Sequence, residues 1–159
     1  MSQPNVRFLL SHPAHFIALG FGSGLAPKAP GTFGTLAAFP LFWLVRLTSL
    51  PEQLGIVAAA ILIGIWACDL TGRHLGVHDS GHIVWDEIAA FVLVLIFTPQ
   101  SAVWMAYAFG LFRLFDIWKP FPIGWLDRRI RGGPGVMLDD LLAAGYAVLV
   151  LSITVHLAP

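Results

Sequence analysis

The sequence predicts an all-α chain: a compact helical bundle, integral to a membrane, with about five hydrophobic helices. Three observations predict it. Charged residues are only 11% of the 159 positions, against roughly 25% in ordinary soluble proteins. Hydrophobic residues reach 57% and the mean hydropathy is +0.79. Finally, no Asp, Glu, Lys or Arg occurs from Thr32 to Val45, from Gln53 to Cys68, from Ile88 to Phe112, or from Leu141 onward. Length and the absence of a long-period repeat predict one domain over residues 1–159.

The elements follow from these runs and from the breakers between them. At the start, Arg7 precedes only Phe8-Leu9-Leu10 and then Ser11-His12-Pro13, too short an apolar run for a secretory signal. Residues 20–35 hold five glycines and two prolines between them, which excludes a straight helix across the whole segment. Helices are expected over about 33–48, 53–70, 86–98, 101–117 and 138–157. Pro51 parts the first from the second and Pro99 the third from the fourth, because proline cannot continue a helix. Several apolar stretches are shorter than the roughly 20 residues that cross a bilayer core. Either their charged ends dip into the interfacial zone, or the bundle is only partly embedded. A hydrophobic soluble bundle is the competing reading. Trp43, Trp85, Trp104, Trp118 and Trp125 fall near the expected helix ends, where indoles mark interfaces.

Charge excludes some functions and orients the chain. Nine basic and nine acidic residues leave no positive excess to hold a nucleic-acid backbone. The single cysteine, Cys68, excludes an internal disulfide framework and a multi-cysteine zinc site. With the N-terminus inside and five spans, Arg7, Lys28, Arg73, Lys119, Arg128, Arg129 and Arg131 fall on one side, with Arg113 near a helix end. Arg46 alone falls opposite, which fits a cytoplasmic placement of the charged face. Eight of the nine carboxylates share that face, leaving only Glu52 across the membrane, so the acids and the cations are expected to meet.

Asp86-Glu87 and Asp139-Asp140 open the third and fifth expected helices. Carboxylates there suit the helix dipole, worth about 0.3–1 kcal/mol each, and capping with ion pairing is one reading. A pair at each of two starts supports another. Adjacent helix residues point about 100° apart, so one acid of each pair can face the bundle centre. Carboxylates brought together repel unless a cation lies between them, and oxygen ligands without cysteine favour a hard ion, most simply Mg²⁺. Arg113, Asp116 and Lys119 form an i, i+3, i+6 series, and Asp127-Arg128-Arg129-Ile130-Arg131 follows. These cations can form salt bridges, meet lipid head groups, or bind phosphate through the guanidinium fork. The glycine segment, with Lys28, Thr32 and Thr35, is either an anion cradle or a turn packed between helices. His74, His78 and His82 are spaced by four but interrupted by glycines, which favours loop polarity over a metal site. His12, His15 and His156 carry no signal.

Several phosphoryl-transfer layouts are absent: Walker A spacing, an Asp-x-Asp nucleophile, the Pro-Ser-Gly-His element of histidine-nucleophile lipid phosphatases, and the Asp-Gly-x-x-Ala-Arg element of CDP-alcohol phosphotransferases. What is present resembles one family. Gly20 to Thr35, Val84-Trp85-Asp86-Glu87, and the stretch from Arg113-Leu-Phe-Asp-Ile-Trp-Lys-Pro-Phe-Pro-Ile through Asp127 to Gly-Gly-Pro-Gly-Val-Met-Leu-Asp139-Asp140 are similar to the phosphatidylglycerophosphatase A family. The resemblance runs from about residue 15 to residue 150. It implies an all-α, Mg²⁺-dependent lipid phosphatase of the bacterial inner membrane, releasing inorganic phosphate from phosphatidylglycerophosphate. On this reading Glu87, Asp116, Asp139 and Asp140 hold Mg²⁺ with Asp86 as ligand or support. Lys28, Arg113, Lys119 and Arg131 stabilise the phosphoryl charge. The partner expected is the phospholipid substrate in the membrane. A small cation-binding or transport subunit is the alternative, but it needs an acidic path across the membrane and the acids lie at one face. A lipid head-group transferase would need a second substrate site, for which no motif is seen.

Overall fold

The computed structural model describes residues 3–77 and 80–158. Asn5 caps a short first helix, α1 (Val6–Leu10), its side chain accepting from the Phe8 N–H at 3.0 Å. His12 does the same for α2 (Pro13–Ala18) through Nδ1, 3.0 Å from the Ala14 N–H, with Pro13 preset for the first turn. Gly20–Leu25 forms a kinked 3-10 turn in which Phe21 and Gly22 have φ of 58° and 106°. Then come α3 (Pro30–Val45), α4 (Leu50–Leu75), α5 (Trp85–Ile96), α6 (Ala102–Trp118), the short α7 (Ile123–Asp127) and α8 (Gly133–Leu157). The chain is all-α as the sequence predicts, with no strand among the described residues.

The five long helices lie where they are expected, with shifted ends. α3 starts at Pro30 rather than about 33, so Gly31 and Gly34 are helical. α4 starts at Leu50, where the Glu52 carboxylate accepts from the Ser49 N–H at 2.8 Å, and runs to Leu75, with Gly76 in the left-handed region ending it. The largest difference is at α8. It starts at Gly133, not about 138, because Gly132 at φ 77° turns the chain and Pro134 is compatible with a first turn. Asp139 and Asp140 therefore do not open a helix; they lie almost two turns inside it. The dipole falls off within the first turn, so capping does not account for this pair.

α5 is the hub. It packs on α3, α4, α6 and α8 and is apolar nearly all round, as an enclosed helix must be. Phe91 at its middle meets Phe39, Phe109 and Phe112 with ring centres 5.4–5.8 Å apart. Such aromatic contacts are worth about 0.5–1.5 kcal/mol each beyond burial. Among the described residues two helices, α4 and α8, are long and apolar enough to cross a bilayer by length and composition. The 12 residues of α5 rise only about 18 Å, less than a bilayer core of about 30 Å, as the short apolar stretches in the sequence lead one to expect.

In the N-terminal strap α1 packs on α2 and α2 on α4, around His15, which carries no signal in the sequence. His15 is 3% exposed. Its Nε2 is 2.8 Å from His74 Nδ1, and its Nδ1 is 3.0 Å from both the Ser11 hydroxyl and the Phe8 carbonyl. Burial holds His15 below the usual imidazole value of 6.5, the Phe8 carbonyl opposes this, and the neighbouring His74 and His12 add to the lowering. The unfolded strap therefore takes up this proton first. The His15 contribution is full above pH 6.5 and is lost as pH falls through the lowered value. The protection of the amides of residues 6–18, the ratio of intrinsic to observed exchange rate, is expected to fall as pH drops below 6.5, and a His15→Phe variant to lose most of that pH dependence.

Candidate active site

The charged residues gather where α3, α5 and α8 begin and α4 and α6 end. Close packing of α3 on α5 sets the first half. A Cβ at Gly31 would run into the Glu87 carboxylate, and one at Gly34 would press on Val84. Glycine thus lets the start of α5 approach α3. Gly31→Ala is expected to cost about 1–3 kcal/mol and to depress turnover by displacing Glu87. A thermal melt and a turnover assay on the same preparation check it.

Arg113, on the last full turns of α6, bridges the groups there. Its Nη1 donates to Glu87 Oε1 at 3.1 Å and to Asp116 Oδ2 at 2.6 Å, with the Thr35 hydroxyl at 3.5 Å. Thr35 is fully buried and donates to the Gly31 carbonyl at 2.9 Å. The i, i+3 pairing of Arg113 with Asp116 is as the sequence suggests. The reach to Glu87, 26 positions away, needs the fold.

Lys119 organises the second half. It ends α6 in the left-handed conformation, φ 45°, which swings its side chain over α8. The ammonium is hydrogen-bonded to Asp139 and lies 3.4 Å from Asp127. Burial by itself would lower the Lys119 pKa; the hydrogen bond and charge of Asp139, with Asp127, outweigh it and raise the net value.

Asp140 lies between the halves. It is 3% exposed and feels the charges of Asp86, Asp116, Glu87 and Asp139. Its Oδ2 is buried without a hydrogen-bond partner. Five carboxylates thus share one region with two cations, Arg113 and Lys119, and Asp127 adds a sixth beside Lys119, so the acids outnumber the cations in a site largely shielded from water. Buried charge without a counter-charge is costly, and the donors are all oxygens, the set a hard divalent cation takes. Asp86, Glu87, Asp116, Asp139 and Asp140 are the residues that could hold one. Among the described residues no three acid, His or Cys side chains stand close enough to form a ready coordination shell. The ion pairs with Arg113 and Lys119 draw the acids into two groups.

Other expected participants stand apart. Lys28 and Arg131 are exposed, with no hydrogen bond or ion pair to the carboxylates among the described residues. Arg129 stacks on Trp125, its guanidinium 4.1 Å from the ring centre. The histidine series divides: His74 pairs with His15, and His82 Nδ1 with the Gly24 carbonyl at 2.7 Å. His78 and Asp79 lie outside the described residues. Asp69, at the end of α4, pairs with Arg73 and accepts from the Gly133 N–H at 3.3 Å, tying the end of α4 to the start of α8.

Known proteins bear on this arrangement. The sequence profile described as phosphatidylglycerophosphatase A matches residues 16–155. A protein of Escherichia coli (strain K12) named phosphatidylglycerophosphatase A is 44% identical over 153 residues, covering 94% of this chain and 88% of its own. A Haemophilus influenzae protein of the same name is 43% identical over 153 residues, covering 94% and 93%. A Bacteroides thetaiotaomicron protein, provisionally named a phosphatidylinositol-3-phosphatase, is 36% identical over 146 residues, covering 86% and 90%. No solved structure matches. The profile match spans most of the chain, both halves of the charged cluster included, and the chain belongs to the phosphatidylglycerophosphatase A family.

Proposed function

We propose that this protein hydrolyses the phosphomonoester of phosphatidylglycerophosphate at a membrane surface, releasing phosphatidylglycerol and inorganic phosphate, with Mg²⁺ in the carboxylate cluster. The observation that carries this is the joining of five carboxylates with Arg113 and Lys119 at one end of an apolar bundle. Water attacks phosphorus, the P–O bond to the glycerol breaks, and the glycerol oxygen leaves as an alcohol after gaining a proton. Asp86, Glu87, Asp116, Asp139 and Asp140 would hold the ion, which when bound supplies charge neutralisation to phosphate oxygens and acidity to bound water. Arg113 and Lys119 would meet the charge on the remaining phosphoryl oxygens. Each is held by carboxylates, so neither needs reorienting during the reaction. Lys28 and Arg131, exposed at the rim, would attract the anionic head group rather than touch the reacting atoms.

Membrane placement is part of the proposal. α4 leaves Leu62 69% and Trp66 50% exposed, and α8 leaves Leu149 57% exposed, faces suited to lipid rather than to water. We place the charged end at the cytoplasmic face of the bacterial inner membrane, where the positive-inside rule puts it. An acidic pole at one end, with apolar flanks below it, supports a surface enzyme over an ion-conducting subunit.

The test is phosphate release by detergent-purified protein, with Mg²⁺ and then with EDTA. Phosphatidylglycerophosphate, phosphatidate and phosphatidylinositol 3-phosphate serve as parallel substrates. Metal-dependent release favouring the first is expected. Preference for the inositol lipid would change the substrate assignment. Release that survives EDTA would remove the metal, and no release from any of the three would remove the phosphatase reading.

A further inference from the structure

α3 and α4 both pack on α5 but scarcely touch each other, and the cleft left between them is a cavity of about 190 Å³. We propose that this cleft binds an acyl chain of the phospholipid whose phosphate is processed at the carboxylate pole, a role that rests on the phosphatase reading above.

The floor is one stripe of α5, with Trp85, Ile88, Ala89 and Val92 at i, i+3, i+4 and i+7. The walls are apolar as well, with Leu44 from α3 and Ile56 and Ala60 from α4 among them. The one polar group on the floor is the Trp85 indole N–H, and it is already donated to the Ala60 carbonyl at 2.9 Å. The cleft therefore offers nothing to a sugar or a peptide. A polar group buried there without a partner would lose its hydration for nothing, whereas each methylene gains about fourfold in affinity. A helix is about 10–12 Å across with its side chains, too wide for this volume. Hydrocarbon fits.

Position favours the substrate's own chain over bulk lipid. The stripe starts at Trp85, next to Asp86 and Glu87 in sequence, and runs down α5 for about 10 Å, away from the charged pole. A lipid with its phosphate at the pole sends its chains in this direction. Leu44 is 67% and Ile56 43% exposed at the outer rim, so a chain can enter sideways from the bilayer.

Two variants test the cleft: Ala60→Phe fills it, and Ile56→Trp narrows its rim at an exposed position where folding is little affected. Both are assayed against long-chain phosphatidylglycerophosphate and against its deacylated head group, beside wild type. Displacing about two methylenes is expected to lower kcat/KM for the long-chain lipid about tenfold, with the chainless substrate hydrolysed at the wild-type rate. Equal losses on both substrates, or no loss on the lipid, would overturn the cleft alone. Wild-type protein that releases phosphate from neither substrate would overturn the phosphatase reading, and the role of the cleft with it.

Discussion

An Asp140→Asn variant is expected to lose about a thousandfold or more in kcat while melting no lower than wild type. The loss follows from removing a carboxylate from the centre of the cluster, where charge neutralisation is worth several kcal/mol to phosphoryl transfer. The preserved stability follows from the same surroundings. Asp140 is buried among four other acids, with one oxygen lacking any hydrogen-bond partner. Asparagine is nearly isosteric and uncharged, so it removes repulsion without opening a cavity. Activity lost with stability held or gained is the mark of a group kept for function. Asp139→Asn is the contrasting case. It leaves the half-buried Lys119 ammonium facing a neutral amide where its carboxylate partner on α8 stood, so both activity and stability are expected to fall. Melts of the two variants, run in parallel with turnover assays, check the pair. A destabilised Asp140→Asn protein would mean that this acid serves the fold.

Arg113→Gln is expected to be the most destabilising single change at this pole. Glu87 and Asp116 both accept from one guanidinium nitrogen, and the three side chains are only 12–16% exposed. Removing the cation strands two carboxylates beside a cluster already in negative excess. Breaking a buried pair in this way costs about 3–5 kcal/mol, which for a chain of this size lowers Tm on the order of 10 °C. Arg113→Lys keeps the charge but not the fork, so it is expected to recover part of the stability and little of the turnover. Added Mg²⁺ raising the Tm of Arg113→Gln more than that of wild type would show the ion and the guanidinium balancing the same acids. Equal shifts would separate them.

The helices and the acids were readable from the sequence because apolar runs and charged clusters are properties of consecutive residues. That Asp86, Glu87, Asp116, Asp139 and Asp140 share one end followed from counting alternate turns. Where α8 begins was not readable. Pro134 beside three glycines looks like a loop, yet Gly133 fits against the Ile65 carbonyl of α4 where any Cβ would collide, and that tertiary contact lets the helix start five residues early. The glycine segment likewise offered a phosphate cradle or a packing turn; Gly31 and Gly34 lie on the α3 face that receives α5. His15 carried no local signal because its importance is its pairing with His74, 59 positions away. Lys28 and Arg131 were grouped with the acids by sidedness, by the glycine segment and arginine cluster that hold them, and by the family resemblance, which fix the end of the bundle but not the distance.

The enclosure of α5 bears on how the protein is made. Its cover comes from α3 and α4, translated before it, and from α6 and α8, translated after it. While the ribosome is still producing the later helices, one flank of α5 is bare and Asp86 and Glu87 have neither Arg113 nor the α8 acids beside them. On the membrane placement proposed above, α5 is too short to cross a bilayer by itself and is carried in with its neighbours. No contiguous fragment ending before α8 can assemble the acidic pole, so the site is complete only once the last helix has packed.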